Sequence, residues 1–259
     1  MTPILQPSLP FTPWLDPALR RMPGIQPVAA GEWLQIDETY SAQLAEKERL
    51  IRARPKDVLA LDTGAQVAAE ELLQRVIEDV QDKRGFSWAG DQITRPDGRR
   101  VALEFGNPLV TLSQLVQEDF CILQKRGDEH VLTGALLCFP ASWTLSEKFM
   151  RPLTVIHEPV GGYDAKIAKR VQRMFDMVRP EQPLWRANAL FYNDPTLYQP
   201  RTASDTRVSA GLDAPYIRSE RQTILRLAKT DAVVFSIHTY QIARESLTAE
   251  QAASLADKG

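Results

Sequence analysis

The chain has 259 residues and a formal charge of −2, from 33 acidic and 31 basic side chains, a balance that gives no electrostatic grip on nucleic acid or anionic lipid. With 44% apolar and 25% charged residues it has the composition of a soluble globular protein whose core is large enough to need no staples. No window approaches the ~20 apolar residues of a membrane span, and two cysteines, Cys121 and Cys138, make neither a disulfide framework nor a four-thiolate metal site.

Seven of the 18 prolines lie in the first 27 residues, so residues 1–30 are expected to form an extended arm on the surface of one α+β domain spanning 31–259. Phe11, Trp14 and Leu15 are its anchors. The arm has no basic leader and no long apolar run, so no secretory signal is expected and a cytoplasmic location is the default. Asp37 or Thr39 then caps a helix carrying Tyr40, Leu44 and Leu50, which ends before Pro55. A second helix sets Val67, Leu72, Leu73, Val76, Ile77 and Val80 on one stripe. The basic "RPDGRR" at 95–100 has no interleaved aromatics and reads as a solvated hairpin or loop.

From about residue 101 the pattern turns to strands. "VALEF" is short and alternating, and "DFCILQKRGDEHVLTGALLCFP" reads as two strands around a polar turn, with both cysteines as buried free thiols. Thr144 and Glu147 have capping-box spacing for a short helix near 145–150. After "LTVIHEPVGG", a helix puts Tyr163, Ile167, Val171, Phe175 and Val178 on one face until Pro180. Strands are expected at 184–193, 215–228 and 232–242, the last two joined tightly through "AKTD". A small helix capped by Ser246 or Thr248 follows. Helices first, then about five strands with one helical crossover after the second, describe an α+β fold with PAS-like order.

The phosphate-loop, dinucleotide, nucleophile-elbow and zincin motifs are missing. Three scattered histidines suit a multi-histidine metal site poorly, whereas a haem needs only one from the protein. His157 follows the apolar "LTVI", which offers a wall for a flat ring, and Pro159 with Gly161-Gly162 lets backbone approach closely. Capping the turn or bonding a backbone carbonyl would occupy the same imidazole equally well, so the three roles stay open. His130, beside a charged turn, is expected to be exposed, and His238 to be a routine strand histidine. Glu220 and Arg221 are strand neighbours, so they point to opposite faces. An inward Glu220 must be paired, and either it binds a cation in a pocket or it forms a surface ion pair. Arg186 raises the same alternative, a salt-bridge partner or a fork for a carboxylate.

The segments "DFCIL", "CFPASWTLSEKFMRPLTVIHEPVGGY", "WRANA", "SERQTILRL" and "AVVFSIHTY" resemble the haem-binding alpha subunit of haem-dependent oxidative N-demethylase. "RMPGIQPVAAGEWLQIDETYSAQLAEKERLI" resembles that family's leading segment, so the likeness runs from about Phe11 to Ile242. It implies a PAS-like domain holding haem b through a histidine, here His157, and oxygen-dependent demethylation of a small alkylamine. Electrons would come through flavin and a 2Fe–2S centre on reductase-type partner subunits, consistent with the lack of a cluster motif here. Three positions depart from the family's pattern: Gly161 stands where it has Pro, Ala189 where it has Trp, and His238 where it has Arg. A lost aromatic and a lost cation would both line a pocket, which bears on substrate and competence.

Two functional readings follow. In the first, the chain is an enzyme with haem on His157, catalytic Glu220 and Tyr240 in one pocket, and Arg186 and Arg221 on the haem carboxylates. In the second, it is a non-catalytic haem or small-ligand sensor, or a scaffold of the same fold.

Overall fold

The structure is a computed structural model, and it describes residues 2–20, 24–157, 165–205 and 210–256, without the side chains of 157, 165–168 and 256. In chain order the elements are β1 (Gln26–Pro27), α1 (Tyr40–Ala53), α2 (Pro55–Val58), β2 (Leu59–Leu61), α3 (Gln66–Gln81), β3 (Ser87–Ala89), β4 (Gln92–Thr94) and β5 (Arg100–Ala102). They continue with α4 (Pro108–Leu115), β6 (Asp119–Arg126), β7 (Glu129–Leu136), α5 (Leu145–Lys148), α6 (Leu153–His157) and α7 (Ala165–Met177). The chain then forms β8 (Leu184–Ala187), β9 (Leu190–Tyr192), β10 (Tyr216–Arg226), β11 (Val233–Ala243) and α8 (Ala249–Ala256).

The fold is α+β, but its main sheet is larger than expected. Eight strands run β1-β8-β10-β11-β6-β7-β2, with β9 also on β10, and β3-β4-β5 form a separate three-stranded sheet. The extra strands β1 and β2 are two and three residues long, too short for a period-2 pattern to declare itself, while β9 is the far part of the expected strand 184–193, which is interrupted at 188–189. The five expected strands hold the middle, in the spatial order third, fourth, fifth, first, second. Gly127 makes the β6–β7 turn, taking φ of 63° at the first position of a two-residue connection. Glu71 of α3 fixes the β10–β11 turn by accepting from the amides of Lys229 and Thr230 at 2.7 and 2.8 Å.

Alternation along β10 and β11 separates two faces. One face carries Cys121, Leu123, Ala135, Ile224, Val233 and Ile237 under α5, α6 and α7. The opposite face carries Phe120, Ile122, Leu225 and Val234 under α3 and α4. At its far end Ile217, Tyr240 and Ile242 lie under the N-terminal arm and α8. We call these the α7 face and the α3 face. Each fully buried Leu or Val contributes about 1.5–3 kcal/mol, so the α3 stripe of Leu72, Leu73, Val76 and Val80, all 0% exposed, anchors the layer.

Several expectations need correction. Val67 is 65% exposed, because helical spacing sets it on the side of α3 opposite the buried Ala68, Ala69, Leu72 and Leu73. His130 is 1% exposed, since α7 covers β7 at that point and Gln172 Nε2 lies 2.8 Å from its Nδ1. The "RPDGRR" turn joins β4 to β5, yet Arg95 is buried against Asp97 and the Tyr40 ring. Leu153–His157 forms a helix, so Leu153 and Ile156 pack inward one turn apart while Val155 is exposed. The four residues do not form a single wall. Pro159, Gly161, Gly162 and Tyr163, and the side chain of Ile167, lie outside what the structure describes.

Other expectations hold. Trp14 is buried in the arm's cluster with Phe11 and Leu15 beside it, and both cysteines are buried and free. The short helix α5 forms after Thr144, although Thr144 Oγ1 bonds Glu147 Oε2 at 2.8 Å rather than a helix amide, so the capping box itself does not form. Thr248 and Gln251 cap α8 reciprocally at 3.0 and 3.2 Å.

Candidate functional site

On the α7 face, the polar end of the sheet is built from alternate residues of β10 and the end of β8. Arg218, Glu220 and Gln222 point the same way, and Arg186 is the cross-strand partner of Gln222. Glu220 is buried. Its Oε1 accepts from Arg218 Nη2 at 3.1 Å, and its Oε2 accepts from Asn188 Nδ2 at 2.9 Å and Gln222 Nε2 at 3.0 Å. A carboxylate has about four acceptor positions, so the three donors leave roughly one for a ligand. Arg218 is fully buried and also donates to the carbonyls of Leu197, at 2.9 Å, and Phe139. Arg186 is half-buried; burial pulls its guanidinium below the ordinary value and Glu220 opposes that shift.

Asn188 was missed in the sequence. Besides donating to Glu220, its Oδ1 accepts from the Glu220 amide at 2.9 Å, so one side chain fixes both backbone and carboxylate. The available signal was its place two residues after Arg186, in a family motif already recognised by its neighbours.

Tyr240 and Arg221 are not in this constellation. Register pairs Ser219 with Tyr240 and Glu220 with Thr239, which puts Tyr240 on the α3 face. There its ring meets Phe11 edge-on at 5.4 Å between centroids. Arg221 shares that face, donating to the Trp33 carbonyl at 2.9 Å and lying 4.8 Å from the centre of the Trp185 ring. The joint pocket of Glu220 with Tyr240 and Arg221 is therefore not formed, because odd and even residues of β10 diverge.

The α3 face instead holds a second polar cluster, at the residue taken as a routine histidine. His238 Nε2 meets Asp37 Oδ2 at 3.1 Å and Nδ1 meets Glu118 Oε1 at 3.1 Å, with the ring 1% exposed. Burial opposes the imidazolium, but the hydrogen bonds it donates to the two carboxylates outweigh it and the pKa is pushed up to about 9. Asp37 also accepts from Gln6 Nε2 at 2.8 Å and from Gln117 Nε2 at 2.8 Å. His238 thus faces away from Glu220.

α6 lies on the α7 face, tied to β7 by the Leu132 amide donating to the Arg151 carbonyl at 3.1 Å and by Thr154 Oγ1 on Glu129 at 2.6 Å. Its last residue is His157. Lys148 Nζ donates to the Ile156 carbonyl at 2.9 Å and sits 5.0 Å from the centre of the Trp143 ring. It thereby satisfies a carbonyl at the helix end that has no partner within the helix.

The model of one protein family, haem-dependent oxidative N-demethylase, alpha subunit-like, matches residues 24–258. The chain belongs to that family. Among the described residues of this haem-dependent oxidative N-demethylase, alpha subunit-like protein, no helix is long and apolar enough to cross a membrane. No group of three or more His, Cys, Asp or Glu that could hold a metal ion occurs among them either.

A haem asks for something different: one axial imidazole, apolar walls and a cation for its carboxylates. The α7 face supplies half-buried Ile156, Val171, Met174, Leu184 and Phe235, with Arg186 at the polar end. The described residues of this face thus give the apolar wall and the cation, and the side chain of His157 lies outside them.

Proposed function

We propose that the chain is the haem-bearing subunit of an oxygen-dependent demethylase of small alkylamines, with haem b held by His157 on the α7 face. The observation that carries this reading is the family match over residues 24–258, which includes a histidine ending α6 on the face that buries Glu220. Haem supplies an oxygen-activating and electron-accepting centre. Electrons would reach it from flavin and 2Fe–2S partner subunits, and the central five strands are read as a PAS-like sheet extended at both edges.

The protein's own contribution is positioning. Arg218, Asn188 and Gln222 hold Glu220 as a fixed acceptor, so its remaining lone pair can take an N–H of an alkylammonium and orient the methyl group. Arg186 is the cation for a haem carboxylate. The half-buried apolar residues of the α7 face would exclude water from the amine.

The test is titration of the purified protein with haemin, followed by formaldehyde assay across methylated amines with an electron donor. A Soret band and formaldehyde from at least one amine are expected, with formaldehyde lost in Glu220→Gln while the band is kept. A band without formaldehyde from any amine would favour the sensor reading, which the three donors already on Glu220 also support. Absence of the band removes both.

Lys148 gives a separate check. In Lys148→Met the end of α6 loses its anchor, and haem affinity should fall about 10- to 100-fold, as for other groups that orient a metal ligand. Haemin titration of the variant measures it. Unchanged affinity would mean that α6 does not position the ligand.

A further inference from the structure

α7 is amphipathic in an unusual sense, because its outer face is basic. Val171, Phe175 and Val178 turn to the sheet, whereas Lys169, Arg170 and Arg173 are exposed on the opposite side, with Met177 62% exposed beside them. Helical spacing puts 169, 170, 173 and 177 on one stripe. Asp176, the acid within α7, is taken by Lys125 at 2.6 Å. Among the described residues no carboxylate pairs with Lys169, Arg170 or Arg173. The adjoining α6 side adds exposed Arg151 and Val155, the latter 39% exposed.

A local run of free cations on a chain of net charge −2 is a steering surface. Exposed Met and Val within it are features of a protein contact, since apolar groups at the centre and charges at the rim are how such contacts are built. Nucleic-acid phosphate would gain little from them.

We propose that the outer face of α7, with the adjoining edge of α6, docks another subunit through an acidic and partly apolar protein surface. This rests on the subunit reading above, and it places the partner over the helix that ends in His157. Steering by complementary charge raises the rate of encounter and makes it fall with salt.

The test uses the full chain, with and without haemin, and an acidic plant-type 2Fe–2S ferredoxin as the probe, with heparin and phosphatidylserine vesicles as parallel arms. Ferredoxin should bind and should weaken about tenfold between low and physiological salt. In Arg170→Glu with Arg173→Glu binding should weaken at least about tenfold, while Arg52→Glu on exposed α1 leaves it unchanged. No ferredoxin binding, binding indifferent to the α7 reversals, or binding of heparin or vesicles alone through these residues would each overturn the proposal. Failure to take up haemin while ferredoxin still binds would count against the haem reading only.

Discussion

His238→Ala should destabilise the fold by about 3–5 kcal/mol, the loss found when one member of a buried ion pair is removed. The ring is 1% exposed and bridges Asp37 and Glu118, so its removal leaves a buried and a half-buried carboxylate without their common cation. For a chain of this size the melting temperature should drop about 6–20 °C. The loss should be felt on three elements at once. Asp37 precedes α1 and binds Gln6 of the arm, Glu118 precedes β6 and accepts from the Gln35 amide at 2.7 Å, and His238 lies in β11.

The same cluster dictates a pH profile. The His238 pKa rises from 6.5 to about 9 on folding. Its stabilisation is therefore complete below about pH 6.5 and disappears as pH rises through about 9. Asp37 is shifted the other way, since its bonds to His238, Gln6 and Gln117 outweigh burial and hold its pKa well below the ordinary value. Its contribution is present above about pH 4 and is lost as pH falls. The other groups around the ring are Tyr240, 4.5 Å away between centroids, and Arg221, its cross-strand neighbour. Urea midpoints of the wild type should fall between pH 6.5 and 9, and those of His238→Ala should not. Parallel curves would show that the imidazole is neutral in the fold.

His157→Ala should replace the sharp, shifted Soret band of the haemin-reconstituted protein by the broad absorption of free haemin, with partial return when imidazole is added. On the proposed reading, the substitution would remove the one axial nitrogen that the protein offers the iron. The control is His130, which is buried on the same face, with Gln172 2.8 Å from its Nδ1. His130→Ala should keep the band. A band lost in His130→Ala and kept in His157→Ala would exchange the roles of the two residues and end the present assignment.

The parts legible in the sequence were those governed by local pattern. Leu72, Leu73, Val76 and Val80 recur at helical spacing and are all buried, and Gly127 marks a hairpin that forms. α4 was missed, although Asn107 followed by Pro108 at its first position was a start signal. Its Val110 and Thr111, both β-branched, obscured the helix. The site was legible only in part, because its geometry depends on residues far apart in the chain. Glu220 is fixed by Asn188, 32 positions earlier, and His238 finds its carboxylates 120 and 201 positions away. A strand histidine carries no mark of partners that only the folded sheet supplies. The divergence of Glu220 from Tyr240 depends on the β10–β11 register, which hydrophobic pattern alone does not set across a polar stretch.

The place of β11 in the sheet has a further consequence. It is the last strand of the chain, yet it sits in the middle, between β10 and β6. As the polypeptide leaves the ribosome, the β6–β7 hairpin must wait with an open edge until residue 243 has emerged. Joining the β6–β7 and β10–β11 hairpins through β6 and β11 is therefore a pairing between remote segments, which closes slowly and leaves aggregation-prone edges uncovered meanwhile. A product truncated before Val233 would lose the strand that joins the two halves of the sheet.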